Sequence, residues 1–204
     1  MKITYFGHSC FLFNENGYKI VIDPFKDVDG YKDVKTGADM VLCSHDHFDH
    51  NAVSGIKRKV SGVQNPFGIT MMKTFHDKEK GAKRGENIVH IITCNNKKYV
   101  HLGDLGHVIN DQQLPFIKNC HCLMIPIGGT YTINIEEAWE VIKKVEPEIV
   151  IPMHYRNGKY GFEVLENLSD FLTKSDRKIA VTTTSEFFEL PDENNLIVVP
   201  SVCE

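Results

Sequence analysis

The chain has 204 residues, 42% apolar and 25% charged, and its 23 basic and 27 acidic residues give a formal net charge of -4. That length holds a sizeable core in a single domain, expected over residues 1–204, with no disulfide framework. The charge balance excludes a strongly basic nucleic-acid coat, and no apolar run approaches the roughly 20 residues of a membrane helix. The N-terminus has no charged start followed by an apolar stretch, so a cytoplasmic location is expected. Cysteines 10, 43, 94, 120, 122 and 203 form no CxxC pair and read as reduced, mostly buried thiols.

The predicted elements begin with short apolar runs at 2–6, 10–13 and 18–22, which read as strands, and Asn14-Glu15-Asn16-Gly17 reads as a hairpin turn. Residues 40–43 form a short strand that runs into a histidine-rich loop, and 51–57 and 110–118 are short helix candidates. Runs at 69–75, 88–93 and 99–102 are further strands, with Asn95-Asn96 turning between the last two. The continuous apolar runs 123–127 and 149–153 suit strands buried on both faces. Between them Ile135, Ala138, Trp139, Ile142 and Val145 recur at helical spacing, with Asn134 as cap, Glu137 completing a capping box and Pro147 past the end. Phe162, Leu165, Leu168 and Phe171 predict a second helix. Strand–helix alternation in the C-terminal half makes this a layered α/β chain.

The segment that carries chemistry is Ser44-His45-Asp46-His47-Phe48-Asp49-His50. His45 and His47 lie two apart, so on an extended segment both imidazoles face one side. Asp49 and His50 follow where the strand gives way to a loop and can reach a second position. Imidazole with carboxylate suits zinc, manganese or iron. A merely solvated loop does not concentrate three histidines directly after an apolar strand. Cys120-His121-Cys122 lacks a second ligand pair and reads as packing.

The pattern resembles the metallo-β-lactamase-fold superfamily of metal-dependent hydrolases, and within it the small members resembling ascorbate-6-phosphate lactonase. The resemblance runs along nearly the whole chain. It is carried by Gly7-His8-Ser9-Cys10-Phe11, Ile22-Asp23-Pro24, the HxHxDH at 45–50, and Phe75-His76-Asp77 with Arg84-Gly85-Glu86-Asn87. Leu102-Gly103-Asp104, Pro126-Ile127-Gly128-Gly129 with Tyr131-Thr132, and Pro152-Met153-His154-Tyr155 complete it. It implies a four-layer αββα sandwich with two divalent metal ions, zinc before manganese or iron. His45, His47 and His76 would hold the first, Asp49, His50 and His154 the second, and Asp104 would bridge them. Independently of the resemblance, His45, His76, Asp104 and His154 each follow an apolar strand, where such architectures carry function.

Asp23 is expected to hold a ligand histidine through hydrogen bonds, with His8 in the same supporting shell. Asp49 is the candidate catalytic residue, binding metal and orienting the nucleophile. Arg84, His107 and Tyr131 are the candidate substrate contacts. Arg84 could grip a carboxylate or phosphate through two parallel hydrogen bonds, or pin the loop that presents His76. The leading function is hydrolysis of a small, anionic ester, lactone or phosphoester. The alternatives are a phosphodiesterase or nuclease, disfavoured by the net charge, and a non-catalytic metal-binding module. A redox di-iron protein on this fold would resemble HxExD, and here His47 stands in the glutamate position. No membrane partner is expected, and a homo-oligomer would fit a chain without large inserted domains.

Overall fold

The computed structural model describes residues 1–182, 184 and 186–203. The first half is strand-rich: β1 (Lys2–Gly7), β2 (Cys10–Glu15), β3 (Tyr18–Ile22), β4 (Thr36–Ala38), β5 (Met40–Leu42), β6 (Ile56–Arg58), β7 (Gly68–Phe75), β8 (Glu86–Cys94) and β9 (Lys97–His101). Then come α1 (Leu114–Ile117), β10 (Cys122–Pro126), α2 (Ile135–Val145), β11 (Ile149–Met153), α3 (Leu168–Thr173), β12 (Lys178–Val181) and β13 (Leu196–Val199). The turns obey local chemistry. Asn16 and Gly17 join β2 to β3, and Asn95 and Asn96 join β8 to β9, all at the positive φ that tight hairpins require.

The strands form two packed sheets, an α/β sandwich as expected. One has the order β1-β2-β3-β5, the other β12-β13-β11-β10-β9-β8-β7, and β4 and β6 form a separate ribbon. The larger sheet is parallel from β12 to β9 and antiparallel from β9 to β7. Between the sheets, Ile3, Tyr5, Phe11, Phe13, Ile20 and Ile22 meet Ile92, Met124, Ile151 and Met153. The other face of the larger sheet packs Val100, Leu123, Ile125 and Val150 against Ala138, Val141, Ile142 and Val145 of α2 and Phe171 of α3. The outer face of the smaller sheet is covered by the segment carrying Phe25, Val28 and Val34. Both faces of β10 and β11 are therefore buried, which explains their unbroken apolar sequence.

The capping box of α2 is present in full: Asn134 accepts from Glu137 N–H, and Glu137 accepts from Asn134 N–H. The second predicted helix is shorter than its apolar spacing suggests. Residues 162–167 are irregular, with a turn at 163–164 and a bridge from Asn167 to Arg156, because Glu166 N–H bonds Gly128 O and Glu166 O takes Arg156 N–H, so neighbouring loops claim the backbone groups a helix would use. The 110–118 candidate shrinks to α1, with Pro115 in its first turn. The 51–57 candidate splits into a 3₁₀ turn over Val53–Gly55 and strand β6. No helix among the described residues is long and apolar enough to cross a membrane.

Candidate metal centre

The candidate site residues gather from the C-terminal ends of like-directed strands. His8 follows β1, Asp23 follows β3, the His45–His50 segment follows β5, His76 follows β7, Asp104 follows β9 and His154 follows β11. Three of these sit at positive φ although none is glycine: His8 at 52°, Asp23 at 48° and His154 at 53°. All three are fully buried. Left-handed backbone at a histidine is uncommon and held only where surroundings over-determine it.

Asp104 is the hub. Its carboxylate lies 3.2 Å from Nε2 of His50, His76 and His154, and 3.9 Å from Nε2 of His45. Three groups of donor atoms each lie within 4.8 Å of one another: His8, Asp49, His50 and His154; His45, His47 and His76; and His45, His50 and Asp104. The seven candidate ligands from the sequence thus lie together in groups that could hold a metal ion, and His8 lies with them.

The outer nitrogens are fixed from behind. His50 Nδ1 donates to Asp23 at 2.9 Å, His76 Nδ1 donates to the Tyr131 carbonyl at 3.1 Å, and His45 Nδ1 meets Ser44 Oγ at 2.9 Å. Each of these rings therefore turns Nε2 inward. The Nε2 atoms of His45, His50 and His154 are buried with no hydrogen-bond partner among the described residues, as is Asp104 Oδ1. Burial, then the neighbouring His50, pushes His45 down to about 3. Burial and His154 likewise push His8 down to about 4, so both keep free lone pairs at neutral pH. Burial alone would lower His50, but the carboxylates of Asp104 and Asp23 outweigh it and hold it well above the usual range. Burial opposes ionisation of Asp104, yet the imidazoles of His154 and His50 hold its carboxyl well below the usual carboxylate range. Converging imidazole and carboxylate donors, several of them buried with no partner among the described residues, fit divalent transition-metal cations.

Two further residues shape the hub. Asn87 Oδ1 accepts from Asp104 N–H at 2.9 Å, while its amide donates to Leu102 O and to Thr74 Oγ1. Gly103 turns there at φ 56°, and a Cβ on it would lie 2.4 Å from Asn87 Oδ1. Asn87 closes the Arg-Gly-Glu-Asn stretch, so its signal lay in the motif though its role did not. Ser44 links Asp23 to His45, and sequence reasoning passed over it.

The loop after His76 is pinned by Asp77, whose carboxylate accepts backbone N–H groups of Glu79, Gly81, Lys83 and Arg84 at 2.8–3.0 Å. The Arg84 side chain takes no part in that pin. Its guanidinium lies over the Tyr131 ring, 5.5 Å from the centroid, and meets no carboxylate among the described residues. By contrast Lys78 pairs with Glu137, and Lys83 with Glu79. A cleft of about 500 Å³ opens over the hub, where His47, Asp49, His76 and Asp104 share its lining with Arg84, Tyr131, Phe48 and Phe162. Phe48 and Phe162 were not foreseen as lining residues. His107 lies off this cleft, where its Nε2 accepts from Phe75 N–H and its Nδ1 donates to Val108 O.

A family model described as a beta-lactamase superfamily domain matches residues 2–154. A Thermotoga maritima structure assigned to Zn-dependent hydrolases of the metallo-beta-lactamase superfamily is 34% identical, with a TM-score of 0.73 over 98% of both chains. Among curated relatives, a UPF0173 metal-dependent hydrolase of Ignicoccus hospitalis is 30% identical over 76% of this chain and 82% of its own. One from Carboxydothermus hydrogenoformans is 29% identical over 76% of this chain and 84% of its own.

Proposed function

Because the chain belongs to the β-lactamase superfamily and is a metal-dependent hydrolase, we propose that it cleaves a small anionic ester, lactone or phosphoester over two divalent cations. In this reading His45, His47 and His76 hold one cation, Asp49, His50 and His154 the other, and Asp104 is shared. Zinc suits this donor set, and manganese or iron would also be accepted. Bound cations of this kind supply Lewis acidity and lower the pKa of water toward neutrality.

The chain's own residues do the rest. Asp23 holds His50 in the tautomer that offers Nε2, and the Tyr131 carbonyl does the same for His76. Asp49, which lines the cleft, would orient the attacking water through its carboxylate. Phe48 and Phe162 exclude bulk water from one side. His107 braces the end of β7 and leaves substrate contact to Arg84 and Tyr131.

The observation that carries the substrate class is the Arg84 guanidinium, which lines the cleft over the Tyr131 ring with no carboxylate partner among the described residues. Contact with the Tyr131 ring uses none of its N–H groups, which leaves the fork to a carboxylate or phosphate. The test is a panel of lactone, phosphomonoester, phosphodiester and neutral ester substrates, assayed with added zinc or manganese. Arg84→Lys should raise KM about tenfold for an anionic substrate, the loss of one charge-assisted hydrogen bond. It should leave a neutral analogue and the metal content unchanged. Equal losses on both substrates, or lost metal, would refute the assignment.

A further inference from the structure

We infer that His8 is itself a metal ligand, the fifth side chain of the position formed by Asp49, His50, His154 and the shared Asp104; this rests on the two-cation reading above. From its sequence His8 is expected in the supporting shell, behind the ligands. The structure brings it level with them, on the first loop of the chain and far in sequence from the rest of the set.

Distances separate the two roles. Supporting contacts in this site run from 2.6 to 3.1 Å: Ser44 N and Oγ donate to Asp23 at 2.6 and 2.7 Å, His101 Nε2 to Ser9 O at 2.8 Å, His50 Nδ1 to Asp23 at 2.9 Å, and His76 Nδ1 to Tyr131 O at 3.1 Å. The inward contacts are longer. His50, His76 and His154 each stand 3.2 Å from Asp104 through Nε2. His8 Nε2 stands 3.3 Å from Asp49 Oδ2, with the inward group. Two donors sharing a cation at about 2.0–2.2 Å, at the roughly 90–110° angles of a crowded coordination sphere, are separated by roughly 2.9–3.6 Å. A charge-assisted hydrogen bond between imidazole and carboxylate would instead close to about 2.8 Å.

The backbone is arranged for that placement. His8 is fully buried at a left-handed φ of 52°. Its carbonyl accepts from His154 N–H at 2.9 Å and from Tyr5 Oη at 3.1 Å, which ties its loop to the strand end that carries His154. The two rings lie 4.1 Å apart, centroid to centroid. His8 Nδ1 has no partner among the described residues. No outer acceptor raises its basicity, unlike His50 with Asp23, so His8 is the weaker donor and its loss costs affinity without abolishing binding.

The test titrates metal-free protein with cobalt(II), read by ligand-field absorption and chelator competition, for wild type, His8→Gln and His8→Ala. Gln keeps an N–H within reach of Asp49 and removes the imidazole. Both variants should bind the first equivalent as wild type does and the second at least tenfold more weakly, and free imidazole should restore the second in His8→Ala. Wild-type affinity for the second equivalent in His8→Gln, or equal weakening of both equivalents, would overturn the inference. Fewer than two equivalents in wild type would overturn it together with the two-cation reading. A measurement on wild type removes any dependence on variants that fold. Of the ten histidines, nuclear magnetic resonance of the dicobalt protein should find six with contact-shifted rings, and five would refute the assignment.

Discussion

Asp23→Asn isolates one charge behind the centre while keeping volume and backbone. Asparagine tolerates the left-handed φ of 48° as aspartate does, so the strand end after β3 should hold. One amide oxygen can still accept from Ser44 N–H, now 2.6 Å from Oδ1. The Ser44 hydroxyl, 2.7 Å from Oδ2, can turn from donor to acceptor. His50 has no such freedom. Its Nδ1–H, 2.9 Å from Oδ2, would face an amide N–H, and the clash is relieved only by moving the proton to Nε2. That tautomer turns an N–H toward the cation. The loss is one charge-assisted hydrogen bond and one oriented ligand, about 1.4–2.7 kcal/mol, or about tenfold to a hundredfold in metal affinity. A smaller effect has the opposite sign. Without Asp23, His50 yields its proton to an incoming cation more readily, so the measured loss should shrink as pH falls. Chelator competition with zinc or cobalt reads the two equivalents separately, and only the one bound through His50 should weaken. Affinity within twofold of wild type at pH 8 would refute the reasoning.

Gly106→Ala should disturb the loop that presents His76, since a Cβ there would lie 2.2 Å from Asp77 N and 2.3 Å from His76 C. Thermal unfolding should show a loss of about 1–3 kcal/mol, with weaker metal uptake alongside. Asn134→Ala removes the α2 cap but no candidate ligand; it should cost about 1 kcal/mol and lower Tm by about 2–4 °C, leaving metal content unchanged. Burial, then the nearby Asp23, lifts the Cys43 thiol to about 12. Its native reaction with a thiol reagent at pH 8 should run on the order of a thousandfold slower than that of an ordinary exposed cysteine, and should accelerate with each unit of pH. All six cysteines are free, so all should react after denaturation without reductant.

What the sequence revealed of this centre follows from how local each feature is. His45, His47, Asp49 and His50 lie within six residues of one another behind an apolar strand, so their pattern could be read directly. The α2 cap is equally local, and Asn134 and Glu137 meet as their spacing implied. The wiring behind the ligands is another matter. Asp23 meets His50 across 27 residues, and His8 meets Asp49 across 41. Such contacts exist only because like-directed strands end at one edge of the sandwich, which no spacing rule encodes. The three-residue strands β4 and β6 are too short for periodicity to register. The second predicted helix shortened for a nonlocal reason as well, since Gly128 and Arg156 compete for the backbone around Glu166.

The hub gathers strand ends from position 8 to position 154. Bringing such distant segments together costs loop-closure entropy before any contact repays it, so this constellation is completed late on the folding path. A cation that grips only the completed constellation stabilises the native state and leaves the folding transition state almost untouched. Metal occupancy should therefore slow unfolding while leaving the rate of folding nearly constant. In a cell this makes metal supply a control on the protein's lifetime more than on its production, because it is the loaded chain that rarely opens to proteases.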